Sequence, residues 1–422
     1  MREWLADDHL VWLVVEAIAR CDTRAFEAAY RDDGQGRPAY DPAVLATLLV
    51  YAYAVGERSS RAIERRCRED VAFRVAAAGL VPDHVTVARF RRRHADALIG
   101  LFTGVLRLCA AAGLVRVGLV AIDGTRLSAD ASKDRFEPDA AAQVVSQILE
   151  EAERADASEE LLTDDHQRAL RGLAPSVHGA DGCAARLDAA AETPTPTPTP
   201  AQASTSPPSR PLEGGLIGAE RPMGGIAGQG RALAARRRGR RNLTDPESRL
   251  MRAPQGYVQG YNAQVAVDES HLIIACDVTQ DGFDNRQLAP MVGRVEDALE
   301  AAGVGVSVGV FLADGGYWSG EPIAELMHSG RRLLVPPNGR PRTKHVRVSP
   351  HVRAMERRLR HPANRRRYRK RQALVEPVIA HTKIGRRFGR FQLRGLAGAQ
   401  LEWSIACTAH NLARLAKHRP TA

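Results

Sequence analysis

Residues 304–319 read VGVSVGVFLADGGYWS, and the fold turns on them. Apolar and β-branched residues run up to Ala313 and stop at Asp314, where two glycines follow. A short apolar run closed by a glycine turn is the pattern of a buried strand. Working outward, residues 287–302 carry a helical pattern, and a second helix is predicted from about Pro322. RRLLVPP (331–337) predicts another strand. Upstream, GYVQGYNAQVAVDESHLIIACDVTQ (256–280) divides into two strands joined near Asp268–His271, a hairpin. Further upstream, VGLVAID (117–123) is a short β-branched run that stops at Asp123 and passes into extended or loop chain. Strand, hairpin, helix, strand, helix, strand and helix predict an α/β core, a mixed sheet with helices on its faces.

Asp123 and Asp314 share a context: each closes an apolar run and precedes glycine. Open α/β sheets build their sites in the crevice outside the carboxyl ends of parallel strands. Taken singly, either Asp-Gly also reads as an ordinary turn. A third acid stands in RRRYRKRQALVEPVIAHTKIGRRFGR (365–390), where basic clusters flank an apolar segment holding Glu376. Pro377 suits the first turn of a helix starting there, and Lys383 lies two helical turns beyond Glu376. A lone acid weakens phosphate binding in a basic stretch, so either Glu376 pairs with Lys383 on a solvated face or it holds a metal. Two aspartates and a glutamate make an all-oxygen set suited to Mg²⁺. Two such ions about 3.5–4 Å apart activate a nucleophile and stabilise the leaving oxygen of a phosphodiester.

The bulk composition agrees with a polyanionic partner. The 422 residues carry 60 Lys and Arg against 49 Asp and Glu, a net charge of +11. Nucleic acid is favoured over a membrane surface. Aromatic residues are 5% of the chain, so phosphate contacts outweigh base stacking. Six scattered cysteines form no Cys-x-x-Cys pair, which argues against zinc and disulfides and for a reducing cytoplasm. The N-terminus does not read as a signal peptide.

Residues 1–115 read as an all-α N-terminal domain. Asp7 or Asp8 can cap a first helix, and residues 42–56 (PAVLATLLVYAYAVG) are apolar almost all round. Residues 84–96 (HVTVARFRRRHAD) predict a helix, Thr86 its cap, bearing Arg89, Arg91, Arg92 and Arg93. Its helices and tight turns fit either a helix-turn-helix that binds DNA or a plain bundle with a solvated basic face. Residues 116–174 hold the first strand and a helical insertion. Residues 175–243, with TPTPTPTP and a basic end, read as a low-complexity insertion without order. Residues 244–422 complete the core.

Asp123 in AIDGT, Asp314 in LADGGY and Glu376 with Lys383 resemble the DDE transposases of bacterial insertion sequences. The nearest group carries a Tyr-Arg-Glu-Lys signature around its glutamate, and GYNAQVAVD and DPESRLM resemble that group too. The resemblance implies a ribonuclease-H-like catalytic core with Asp123, Asp314 and Glu376 as catalytic and metal-binding residues. It implies two Mg²⁺ ions per site, with Mn²⁺ able to substitute. Tyr368, Arg371 and Lys383 would hold the DNA backbone near the cleaved bond. The signature usually leaves three residues between arginine and glutamate, whereas Arg371 and Glu376 here have four between them. Arg369 and Lys370 therefore stand as alternatives to Arg371.

The expectation is a cytoplasmic, nucleoid-associated transposase that acts on double-stranded DNA as a homodimer or larger assembly, without a membrane. Two alternatives are a ribonuclease-H-like nuclease without strand transfer and a DNA-binding repressor with a retired site. Asn262, Asp268, Asp277, Asp281 and Asp284 read as turn or strand-edge residues, with Asp284 a candidate for supporting the site.

Overall fold

A computed structural model describes residues 2–28, 30, 39–133, 135, 241–253, 256–337 and 349–418. The chain divides into two compact units, 1–133 with 244–422, and 134–243. The helical insertion and the Thr-Pro segment expected from sequence fall almost wholly outside the described residues. Everything below concerns the larger unit.

Among the described residues, seven α-helices precede the first strand: α1 (Leu10–Ala19), α2 (Arg24–Glu27), α3 (Pro42–Ala54), α4 (Ser60–Glu69), α5 (Val71–Ala76), α6 (His84–Arg93) and α7 (Ala95–Ala111). Their starts follow from local chemistry. Asp41 accepts the Ala43 N–H at 2.8 Å, with Pro42 in the first turn of α3. Asp83, not Thr86, caps α6, accepting the Thr86 N–H at 2.7 Å. His9 rather than Asp7 or Asp8 caps α1. In α3 every residue from Leu45 to Tyr53 is buried, as its all-round apolar sequence demands.

The sheet has six strands: β1 (Leu119–Ser128), β2 (Arg249–Ala253), β3 (Gly256–Asp268), β4 (Ile273–Thr279), β5 (Val310–Leu312) and β6 (Leu333–Leu334). Their order is β2-β3-β1-β5-β6, with β4 also paired to β3. β1 is antiparallel to β3 and parallel to β5, so the sheet is mixed. The strand expected to stop at Asp123 runs on to Ser128, because β3 continues to pair with it as far as Gly260. Only the parallel partner β5 ends early.

Five helices complete the unit: α8 (Leu288–Ala301), α9 (Gly320–His328), α10 (Pro350–Arg360), α11 (Pro362–Ala380) and α12 (Leu396–Lys417). α11 continues through Pro377 instead of starting there. A proline has no N–H to give the carbonyl four residues back, here that of Ala373. His271, in the β3–β4 turn, lies against this oxygen at 3.1 Å, so the carbonyl the proline frees finds a partner. α12 lies on the sheet, buried without a break from Leu401 to Leu412. Trp403 donates to the Gln264 carbonyl at 3.0 Å, and Asn411 brackets the Ile273 backbone at 2.8 and 2.9 Å. Asn411 thereby satisfies backbone groups of a strand on the sheet's rim.

The N-terminal helices are not a separate body. Glu402 of α12 is fully buried and accepts from Tyr53 of α3 at 3.1 Å and from the Gln392 N–H at 2.6 Å. Arg91 of α6 donates to Tyr53 at 3.2 Å. Arg58 reaches the Arg390 carbonyl at 2.6 Å and lies over the Phe388 ring at 4.4 Å. Buried polar contacts tie α3 and α6 to the C-terminal segment, and residues on both sides of the expected boundary near 115 fall in one unit.

Candidate active site

Asp123 sits inside β1 on the sheet face that α11 covers. The β1–β5 register pairs Ala121 with Leu312, and extending it by two residues sets Asp314 beside Asp123. Asp314 then caps a 3₁₀ turn, Gly315–Tyr317, by accepting the Gly316 N–H at 2.7 Å. Asp314, just past the end of β5, thus interacts with Asp123 in the middle of β1. Burial raises the Asp123 pKa, and the charge of Asp314 adds to the rise, while Arg371 opposes it.

Arg371 comes inward from α11 and donates to Asp123 Oδ2 at 2.9 Å, both side chains being mostly buried. Burial acts to lower the Arg371 pKa, but the charges of Asp123, Tyr368 and Asp314 raise it overall, so the guanidinium stays charged. Tyr368, one turn earlier, is half-buried and interacts with the same arginine. Lys383 donates to Thr125 Oγ1 at 3.0 Å, two residues beyond Asp123 on the same strand face. Burial lowers its pKa. Arg371, against the doubt its spacing raised, is the arginine that faces the acids; Arg369 and Lys370 are exposed.

Glu376 is not brought to the pair. It is exposed on α11, between the buried Val375 and Val378, and no hydrogen bond or ion pair to it is found among the described residues. A Glu376–Lys383 surface pair is not formed either, since Lys383 turns to Thr125. Arg91, expected to touch DNA, is 5% exposed and bonded to Tyr53 and the Arg58 carbonyl, so it faces the core. Arg89 and Arg92 on the same helix are exposed. Arg386, in the second basic cluster, is also buried, donating to the Ala54 carbonyl at 3.2 Å.

The other face of the sheet carries a network that the sequence reading did not assemble. Gly124 pairs with Gln264 and Arg126 with Asn262, so these four share a face. Asp284, in the loop after β4, accepts from Asn262 at 2.8 Å, Gln264 at 2.9 Å and Arg126 at 2.8 Å. The Tyr317 hydroxyl donates to Gln264 Oε1. Asn262, read as a turn or strand-edge residue, lies fully buried in mid-strand, as does Gln264. The signal was present in GYNAQVAVD: two amides two residues apart on an apolar strand must face the same way. Gly124 is glycine because a Cβ there would lie 2.3 Å from Gln264 Nε2 and 2.9 Å from Asp284 Oδ1. The Asp-Gly of β1 marks a close approach, not a turn.

The donor set can be tested against a divalent cation. Among the described residues no group of three or more acidic, histidine or cysteine side chains is gathered to hold a metal. The expected two-ion triad is therefore not assembled. Two repelling carboxylates do fit one Mg²⁺, an ion commonly held by one or two carboxylates with water and substrate phosphate.

Two family models match the chain. Residues 1–93 match a transposase domain (DUF772), and residues 335–416 match a transposase DDE domain. Together they support a DDE transposase. The second covers Tyr368, Arg371, Glu376 and Lys383; Asp123 and Asp314 lie outside both. No curated protein and no solved structure matched. Among the described residues no single helix is long and apolar enough to cross a membrane.

Proposed function

We infer that the chain is an insertion-sequence transposase that binds the ends of its element, cuts a DNA strand beside them and joins the 3′ end to target DNA. The observation that carries this reading is the Asp123–Asp314 pair on adjacent parallel strands, with Arg371 bonded to Asp123 and Lys383 bonded to Thr125 two residues along the same strand. The two aspartates stand outside both matched segments, while Arg371 and Lys383 lie within the second.

Asp123 and Asp314 would hold a divalent cation, Mg²⁺ or Mn²⁺, which polarises a phosphoryl oxygen and lowers the pKa of a bound water. Arg371 is placed to exchange Asp123 for a phosphate oxygen, and a guanidinium suits either partner. Tyr368 steadies Arg371, and Lys383 meets the backbone beside it. The exposed Arg365, Arg366, Arg367 and Arg369 extend a basic surface along α11 for the flanking duplex. Arg89 and Arg92 offer a second basic patch on α6. Glu376 is the third carboxylate of this reading, and from its exposed place it reaches the pair only after α11 moves on DNA. A ribonuclease-H-like arrangement of the core and action as a homodimer or larger assembly, in the cytoplasm at the nucleoid, belong to the same proposal.

The exposure of Glu376 favours one alternative, a DNA-binding protein with a retired site. One experiment separates them: Mg²⁺-dependent cleavage of an end-bearing duplex, measured beside gel shifts. The native chain should cut, and Asp314→Asn should bind the duplex but not cut it, since losing a carboxylate removes cation affinity and reduces repulsion from phosphate. A native chain that binds without cutting would establish the retired site, and full cleavage by Asp314→Asn would remove Asp314 from the mechanism.

A further inference from the structure

We propose that Asp284 is a positioning residue for the acid pair, acting through Gln264 and Tyr317 on the turn that carries Asp314. The inference rests on the reading of Asp123 and Asp314 as catalytic.

A carboxylate only accepts hydrogen bonds, and that one-way character runs through the network. Asp284 takes donors from three side chains, so the Gln264 amide must turn its nitrogen to Asp284 at 2.9 Å. Its oxygen then faces the opposite way, where the Tyr317 hydroxyl donates to it. Tyr317 is fully buried, and burial together with Asp284, Asp123 and Asp314 raises its pKa well above the usual value, so the hydroxyl keeps its proton. Tyr317 ends the 3₁₀ turn that Asp314 caps. Asp284 also stands close to that turn: a Cβ on Gly316 would lie 2.9 Å from Asp314 Oδ1 and 4.0 Å from Asp284 Oδ2. The two acids flank one glycine.

The same hub reaches Asp123 from behind. Asp284 and the two amides occupy the space over Gly124, the residue next to Asp123 on β1. Arg126 adds an ion pair to Asp284 and donates to the Gly282 carbonyl at 3.1 Å, which fixes the loop. Three side-chain donors already hold Asp284, so its role is to orient others. It neither contacts the proposed phosphate nor holds the cation.

Asp284→Asn keeps the shape but turns its NH₂ group either onto Arg126, a donor–donor clash that frees the loop, or onto the two amides, which flips Gln264 and breaks its bond from Tyr317. The test uses the full chain and an end-bearing duplex with Mg²⁺. Asp284→Asn should lower kcat for cleavage tenfold or more with KM for the duplex unchanged. Tyr317→Phe, which deletes only the hydroxyl, should do the same, and the double variant should be no slower than the slower single one. In the metal-free, DNA-free protein the melting-temperature losses of the two substitutions should also be less than additive, because they break one chain of bonds. Native kcat in Asp284→Asn, or losses that multiply in the double variant, would overturn the proposal. Should Asp284→Asn not fold, Tyr317→Phe decides alone, and an unchanged kcat there rejects it. Asp314→Asn is run in parallel: if it cuts as well, the acid-pair reading has failed, whereas an inactive Asp314→Asn beside a fully active Asp284→Asn sinks only this inference.

Discussion

Gly124 shows how much one absent atom can matter. The sheet places the Asp284 hub directly over its α-carbon, and an added methyl would sit 2.3 Å from Gln264 Nε2. Gly124→Ala must push apart hydrogen bonds already made by buried amides. Overpacking of this kind costs about 1–3 kcal/mol, so thermal denaturation should show a drop of several degrees, with cleavage falling further because Asp123 is the adjacent residue. An unchanged melting temperature would mean that the loop of Asp284 yields without resistance. Arg371 makes a related point. A guanidinium on Asp123 in the DNA-free chain opposes the rise in pKa that burial and Asp314 impose on that carboxylate, so a cation of the protein itself stands at the pair before DNA arrives.

At the scale of elements, α6 divides one basic run between two tasks. Arg89 and Arg92 are exposed, while Arg91, between them, is buried on Tyr53 and the Arg58 carbonyl. Arg91→Met should lower stability by about 1–3 kcal/mol, since it leaves the buried Arg58 carbonyl and Tyr53 hydroxyl without their donor. Arg89→Ala and Arg92→Ala should leave the melting temperature alone and each reduce the salt dependence of DNA binding by about one unit of slope. The reverse pattern would mean that α6 is not a DNA-facing element. The strand-helix alternation was legible in the sequence because apolar runs and glycine turns are local signals, and the hairpin and both aspartates followed from them. What escaped was non-local. Nothing near residue 91 says that a glutamate more than 300 residues away awaits it. The start of α11 was misplaced because a proline was read as a beginning; His271, brought up by the hairpin, is what makes Pro377 tolerable in mid-helix.

For the whole molecule, the buried polar groups of α12 predict how stability responds to acid. His410 lies in the core near the Arg386 guanidinium, and burial, reinforced by Arg386, pushes its pKa down to about 3. The native state therefore keeps it neutral while the unfolded chain protonates it below about 6.5. Stability from this group is complete above that value and is lost as pH falls, by at most about 1.4 kcal/mol per pH unit. Burial lowers the His94 and His381 pKa values as well, which acts in the same direction. Asp268 acts oppositely: burial raises its pKa to about 6, so its share of stability is lost as pH rises from about 4 to 6. The net loss should set in between pH 6.5 and 6. His410→Gln keeps a donor toward the His271 carbonyl but cannot titrate, so between pH 6.5 and 5 it should lose up to about 2 kcal/mol less than the native chain. Melting curves across that range check this, and parallel curves for the two proteins would contradict it.

The place of β1 in the sheet also constrains how the protein comes into being. β1 lies between β3 and β5, and both are made more than 120 residues later. Glu402 and Arg386, which complete the buried charge network of the early helices, are made later still. A nascent chain therefore exposes the strand bearing Asp123 throughout synthesis of the long segment that follows. Closing such distant pairings is slow, and exposed apolar strand is an invitation to self-association. Asp314 follows Asp123 by 191 residues, so a product truncated between them would hold Asp123 without the acid pair.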